Sequence, residues 1–263
     1  MKHNPCTFKF FALFFLLIIS SFSLKAQDGK KDLYELRVYH IANLKQGEVT
    51  ENYLEKAFIP AAHRAGVKNV GVFKPLPSEP DAGKKIYVFL PFSDSKDYFR
   101  FQRKIKSDPK HQEEGKTFIH AAFDNPSFSR IETSLMQAFE TRPRMALPKL
   151  SSPKSERVYE LRSYESATER LYHQKVKMFN EGEIDIFDEL NFNGIFYGEP
   201  LAGANMPNLV YLTAFENMED RDAHWATFSD YPAWLALKAN SEYDNTVSKN
   251  DKRLLRPTSY SDF

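Results

Sequence analysis

One cysteine is all the sequence contains, and its place removes it from most thiol chemistry. Cys6 stands ahead of an apolar run, Phe10 to Ile19, which follows Lys2 and Lys9 and gives way to small and polar residues up to Leu24-Lys25-Ala26-Gln27. A basic start, an apolar stretch of roughly 7–15 residues and a small residue before the cut mark a secretory leader. Residues 1–26 are therefore expected to be a signal peptide and the remainder to be exported, periplasmic or extracellular. The alternative, an uncleaved anchor, wants about 20 apolar residues, more than this run has, so no stable membrane span is expected after cleavage. A lipid-bearing cysteine would follow the run, and Cys6 precedes it. The remainder has no cysteine, which excludes disulfides, thiol catalysis and Cys-type zinc sites.

A surplus of positive charge is missing as well. The chain holds 36 Lys+Arg and 35 Asp+Glu; the leader takes Lys2, Lys9 and Lys25 with no acid, leaving 33 against 35. Nothing remains to neutralise a run of phosphates, so nucleic acid is not an expected partner. There is no G-x-S-x-G elbow, no dinucleotide fingerprint, no His-x-x-x-His and no His-Glu-x-x-His. The glycine-containing stretch Gly198 to Asn205 lacks phosphate-loop spacing and reads as a hairpin connection.

What the sequence does have is a repeat. Tyr34-Glu35-Leu36-Arg37-Val38-Tyr39 returns as Tyr159-Glu160-Leu161-Arg162-Ser163-Tyr164, 125 positions later. Val70 to Phe73 returns as Asn193 to Phe196, Ile86 to Phe92 as Leu209 to Phe215, and Ser107-Asp108-Pro109 as Ser229-Asp230-Tyr231-Pro232. Four blocks in one order at a nearly constant offset indicate duplication. Each copy opens with a strand (33–40; 157–165) and continues with a helix. In the first copy the apolar face of that helix is Val49, Tyr53, Leu54, Ala57, Phe58, Ala61 and Ala65, with Pro60 expected to bend its end. In the second the face is interrupted near Gly182. Two strands, a helical stretch and a last strand follow (near Ile131 to Phe139; near Leu254 to Tyr260). The order is β-α-β-β-α-β. Residues 27–140 and 157–263 thus read as two ferredoxin-like domains of the α+β class, joined by a proline- and serine-rich linker, 141–156.

In such a unit helices cover one face of the sheet and the other face needs a cover. A linker of about 16 residues holds a second copy at an effective concentration on the order of millimolar. The two copies are therefore expected to pack sheet to sheet within one chain, as an intramolecular dimeric αβ-barrel; association of whole chains into a homo-oligomer stays open.

The second copy, with Tyr159 to Tyr164, Gly194, Glu219-Asp220-Arg221, Trp225 and Asp230-Tyr231-Pro232-Ala233-Trp234, resembles the NIPSNAP family. The first keeps Tyr34 to Tyr39, Arg100 and Asp108-Pro109, but has Gln102 and Lys104 near the place of the first tryptophan and lacks the closing one. The resemblance implies the dimeric αβ-barrel, ferredoxin-like fold and no settled reaction. Relatives of that fold include cofactor-free monooxygenases and haem-binding peroxidase-like or chlorite-degrading enzymes, an analogy of fold alone.

Alternation places Glu160, Arg162 and Tyr164 on one strand face, about 6.6 Å apart in turn, and Glu35, Arg37 and Tyr39 repeat them. Such a cluster either lines a cavity, with arginine gripping an anion, or is a structural ion pair that fixes how the two sheets align; its repetition favours structure. His224, Trp225 and Trp234 form the other concentration of unusual residues. The tryptophans either stack on a flat ligand with His224 as acid or base, or anchor the core. Beyond His3 the histidines are His40, His63, His111, His120, His173 and His224, in no metal-ligand spacing, so no metal is expected. Haem is a minor option, with His173 or His224 as axial ligand; otherwise no cofactor is expected. Three functions compete: a small-molecule-binding or accessory protein of the cell envelope, a cofactor-free or haem-assisted oxidoreductase or isomerase, and a structural or interaction module.

Overall fold

The computed structural model describes Met1 and residues 30–263; the apolar run of the expected leader lies outside them. Strand β1 (Leu33–His40) is followed by helix α1 (Leu44–Tyr53), a π turn (Leu54–Phe58), α2 (Ile59–Ala65), β2 (Gly71–Pro75), β3 (Lys85–Phe92), α3 (Ser95–Ser107), α4 (Pro109–Glu114), α5 (Lys116–Ile119) and β4 (Arg130–Ala138). The second half repeats the plan: β5 (Val158–Glu165), α6 (Glu169–Met178), a π turn (Phe179–Glu183), α7 (Ile184–Glu189), β6 (Asn193–Ala202), β7 (Asn208–Phe215), α8 (Met218–Asp230), α9 (Pro232–Lys238) and β8 (Lys249–Pro257). Among the described residues no helix is long and apolar enough to cross a membrane.

The two sheets do more than face one another. They join edge to edge into one closed barrel, ordered β1-β3-β2-β8-β5-β7-β6-β4. One seam pairs β2 with β8, Lys74 opposite Arg256; the other pairs β4 with β6, Gln137 opposite Glu199. Closure leaves no free edge, and eight strands enclose a space that side chains can fill. Here aromatics fill it from both halves: Phe89 stacks on Phe196 with centroids 4.5 Å apart, and Phe73 meets Tyr159 at 4.8 Å.

Several local expectations need correction. Gly198 to Ala202 is not a hairpin loop but the end of β6, and it forms the second seam; Pro200 is accepted there opposite Met136, beside a register shift, the setting in which a sheet tolerates proline. The last strand starts at Lys249 rather than near Leu254, and residues 258–263 instead fold back on β2, with Phe263 buried at the end of the barrel. Pro60 stands in the first turn of α2, and a π turn, in which the Ile59 N–H reaches back to the Leu54 carbonyl, precedes it. The second half has its π turn at the same 125-residue offset without a proline; its Gly182 lets Leu237 approach to within 3.1 Å of where a Cβ would stand.

The linker is not a loose tether. Met145 N–H and Arg144 Nη1 bond to the Asp32 carboxylate, Lys149 N–H donates to Asn193, and Ser151 and Ser152 N–H groups donate to Glu216. Hydrogen bonds from Ser152 and Ser151 hold the Glu216 carboxyl down from 4.5 to about 2. A depressed carboxylate contributes stability that is complete above its ordinary pKa and is lost as pH falls through the folded value. Melting temperatures of wild type and Glu216→Gln should therefore differ by a constant amount above about pH 5 and converge near pH 2. A difference that persists at pH 2 would contradict the clamp.

Candidate functional site

Period-two alternation turns Tyr34 and Leu36 into the barrel, so Glu35, Arg37 and Tyr39 lie beneath the helices; the same holds for Glu160, Arg162 and Tyr164. The two clusters therefore sit between sheet and helices and do not set the alignment of one sheet on the other. Both copies use the arginine on its own strand: Arg37 Nε is 2.5 Å from Glu35 Oε1, and Arg162 Nε 2.6 Å from Glu160 Oε1.

Beyond that shared pair the halves differ. In the first, Gln102 Nε2 donates weakly to Glu35 Oε2 at 3.3 Å, and Phe58 lies 5.2 Å from the Arg37 guanidinium. In the second, Trp225 replaces Gln102 and donates to Glu160 Oε2 at 2.9 Å, while Arg221 Nε reaches the same oxygen at 2.6 Å. The Arg162 guanidinium lies 3.6 Å from the Trp225 ring centroid, a cation–π contact. Glu160 is fully buried. Burial alone would raise its pKa, but the Arg221 hydrogen bond and the charges of Arg162 and Arg221 prevail and hold it low.

The same divergence continues inward. Val88 stands opposite Arg37, whereas Tyr211 stands opposite Arg162. Arg162 Nη1 donates to the Tyr164 hydroxyl at 3.0 Å, which shares a hydrogen bond of 2.8 Å with the Tyr211 hydroxyl. Burial pushes the Tyr211 phenol far up. Where the first copy has Thr50 and Phe58, the second has Lys175 and Glu183, an ion pair of 2.7 Å with both side chains almost wholly buried. Two α-helical turns bring positions seven apart onto one face; the extra residue of the π turn moves that match to eight apart. Lys175 Nζ also lies 4.9 Å from the Phe179 ring and 5.7 Å from that of Trp234.

A cleft of about 540 Å³ opens beside this network, lined by Arg142, Arg144 and Lys149 from the linker and by Asp188, Asn191, Phe192, Asn193, Ile195 and Tyr197. Arg142 pairs with Asp188 and Arg144 with Asp32; the Lys149 ammonium makes no ion pair among the described residues. Tyr197 is the wall between cleft and network. Its ring stacks on Tyr211 with centroids 5.8 Å apart, and it lies so close over Gly194 that a Cβ there would come 2.4 Å from the hydroxyl. Phe192, on the cleft side, touches Trp225 at 5.0 Å.

The structure thus brings Trp225 to Glu160, Arg162 and Tyr164, and leaves His224 and Trp234 outside that cluster. His224 Nδ1 is bound to the Asp220 carbonyl at 2.8 Å and its ring packs edge-on against Phe192 and Phe215. Trp234 packs on Phe228 at 4.5 Å. His173 is exposed on α6. Neither histidine lines the cleft, so the two do not fit as axial haem ligands within it. Sequence reading passes over Tyr197, includes Tyr211 only within the strand Leu209 to Phe215, does not pair Lys175 with Glu183, and leaves Arg142, Arg144 and Lys149 in the linker. The departure of the first copy at Gln102 was the one signal that the halves are not equivalent.

Residues 159–262 match the NIPSNAP family. No curated protein matches the chain. Among solved structures, a candidate monooxygenase from Lactobacillus acidophilus NCFM is 12% identical, matched over 86% of this chain and 94% of its own, with a TM-score of 0.58. An anthrone oxidase-like protein is 9% identical over 88% of this chain and 92% of its own, with a TM-score of 0.50. An uncharacterized NIPSNAP-like domain protein from Burkholderia xenovorans is 21% identical over 40% of this chain and 89% of its own, with a TM-score of 0.36. The first two likenesses are of fold.

Proposed function

We propose, with residues 159–262 placed in the NIPSNAP family, that the protein binds a small organic acid in the cleft of its second half and does so after export. The reading rests on one asymmetry: on equivalent elements, the second half carries Lys175, Glu183, Tyr211 and Trp225 where the first carries Thr50, Phe58, Val88 and Gln102. Lys149, with no ion pair among the described residues, and Arg142 and Arg144, each paired with one aspartate, suit one carboxylate or sulfonate, and Phe192, Ile195 and Tyr197 suit a flat apolar body. Export rests on the leader pattern alone.

The molecule carries its own reporter. Trp225 and Trp234 are its two tryptophans, and both lie in the second half beside the network. A titration with aromatic carboxylates should shift tryptophan emission and raise the melting temperature together, at one saturation midpoint. Arg142→Ala/Lys149→Ala should move that midpoint at least about tenfold, the effect of about 1.4 kcal/mol. A panel that leaves emission unchanged would defeat the proposal.

A second reading, oxidation of the bound acid without a resident cofactor, is favoured by the Tyr164–Tyr211 hydroxyl pair held by Arg162 and accords with the names of the fold neighbours. Oxygen uptake dependent on the bound acid separates it from simple binding.

A further inference from the structure

The β2–β8 seam contains an anomaly that the second-half cleft does not explain. Residues opposite each other in an antiparallel ladder lie on one face, where like charges repel; yet Lys74 stands opposite Arg256. Phe73 and Leu255 point into the barrel, so by alternation the two cations point outward, beside α1. Lys74 is satisfied by Glu51, with Nζ 2.8 Å from Oε1. Arg256 is not: among the described residues its half-buried guanidinium makes no hydrogen bond and no ion pair, and its Nε is buried without a partner. Close by, the Tyr260 hydroxyl is also buried, with the Thr258 side chain near it but no well-formed hydrogen bond. Buried donors are nearly always bonded, so an orphan Nε beside a poorly satisfied hydroxyl calls for an occupant.

Both border a cavity of about 390 Å³, whose remaining walls include Pro75, Leu76, Pro77 and Pro257. Those walls are apolar and stiff, and the prolines present no N–H. We infer that this pocket across the seam between the halves is a binding site for a small aliphatic carboxylate, its head on Arg256 and the Tyr260 hydroxyl and its chain on the proline wall. Arg256 offers a planar fork for a carboxylate, and the phenol remains a donor because burial holds it protonated. Glu51 is the one carboxylate on the lining and is engaged by Lys74, which leaves the site with one net positive charge. An occupant would touch β2 of one half and β8 of the other and so strengthen the closure of the barrel.

Hexanoate is a suitable probe, with inorganic phosphate beside it, read by melting temperature and tryptophan emission. Hexanoate should raise the melting temperature saturably, by roughly 5–10 °C at a hundredfold excess over Kd, with emission unchanged because neither tryptophan lines the pocket. Failure here is thus distinguishable from failure of the second-half cleft, which reads in emission. R256M should melt no lower than wild type without ligand, since it removes a repulsion and no bond, and should lose the response; Y260F should weaken it roughly tenfold. A hexanoate response that survives R256M, saturation by phosphate alone, no saturable response at all, or an R256M protein much less stable than wild type would each overturn the site.

Discussion

Glu160→Gln should cost the folded protein about 3–5 kcal/mol, the usual consequence of removing one member of a buried ionic group. The carboxylate is fully buried and is the common acceptor of Arg162, Arg221 and Trp225. A neutral amide leaves the largely buried Arg162 guanidinium without a counter-charge and Arg221 with only the exposed Asp222 carboxylate, and its own N–H₂ cannot accept. For a chain of this size the melting temperature should fall by roughly 6–20 °C. Emission should change in step, because Trp225 loses its hydrogen bond and the cation over its ring is released. Glu35→Gln is the internal control. Its carboxylate serves one arginine and a long bond from Gln102, so the loss should be distinctly smaller. Equal losses at the two positions would show that Arg221 and Trp225 add nothing to the second cluster.

Lys175→Met should be about as damaging, again about 3–5 kcal/mol, because it strands Glu183 in an aromatic interior. The double change Lys175→Met/Glu183→Leu removes both charges and should recover most of that loss, and it can exceed wild type, as uncharged replacements of buried pairs often do. The first half already demonstrates an uncharged solution, with Thr50, whose hydroxyl donates to the Ser127 carbonyl, and Phe58 at the same places around its own π turn. If the pair is retained for binding, the double variant should be stable and yet respond less to organic acids. Denaturant titration supplies the stabilities and emission supplies the binding. A double variant that is as unstable as the single one would mean that the loss comes from packing and not from charge.

The strands were legible because alternation and the repeated hexapeptide fix them: β1 and β3 lie within a residue of expectation, and Glu160, Arg162 and Tyr164 do share a face. Which face they share was not legible, since in a closed barrel under helices both sides of each strand are buried and the contrast of polar against apolar vanishes. The Lys175–Glu183 pair was hidden for a different reason. Helical pattern reading assumes one period, and a π turn shifts the register by a residue. The extension of β6 was hidden because Gly198, Pro200 and Gly203 carry turn chemistry, while the demand for a partner to β4 comes from the other half of the chain. The rim of the cleft was missed because Arg142, Arg144 and Lys149 lie in a segment whose prolines suggest a connector, and only the fold sets that connector against β6.

The central claim is that duplication gave one barrel with two unlike helix layers, and that the charged network and the organic-acid cleft beside it belong to the second. A crystal structure of the protein with whichever organic acid saturates the emission change tests it most directly. The account predicts density in the cleft, with the acid group at Arg142, Arg144 or Lys149 and its body on Phe192 and Tyr197. Density under the helices of the first half, beside Arg37 and Phe58, would contradict it.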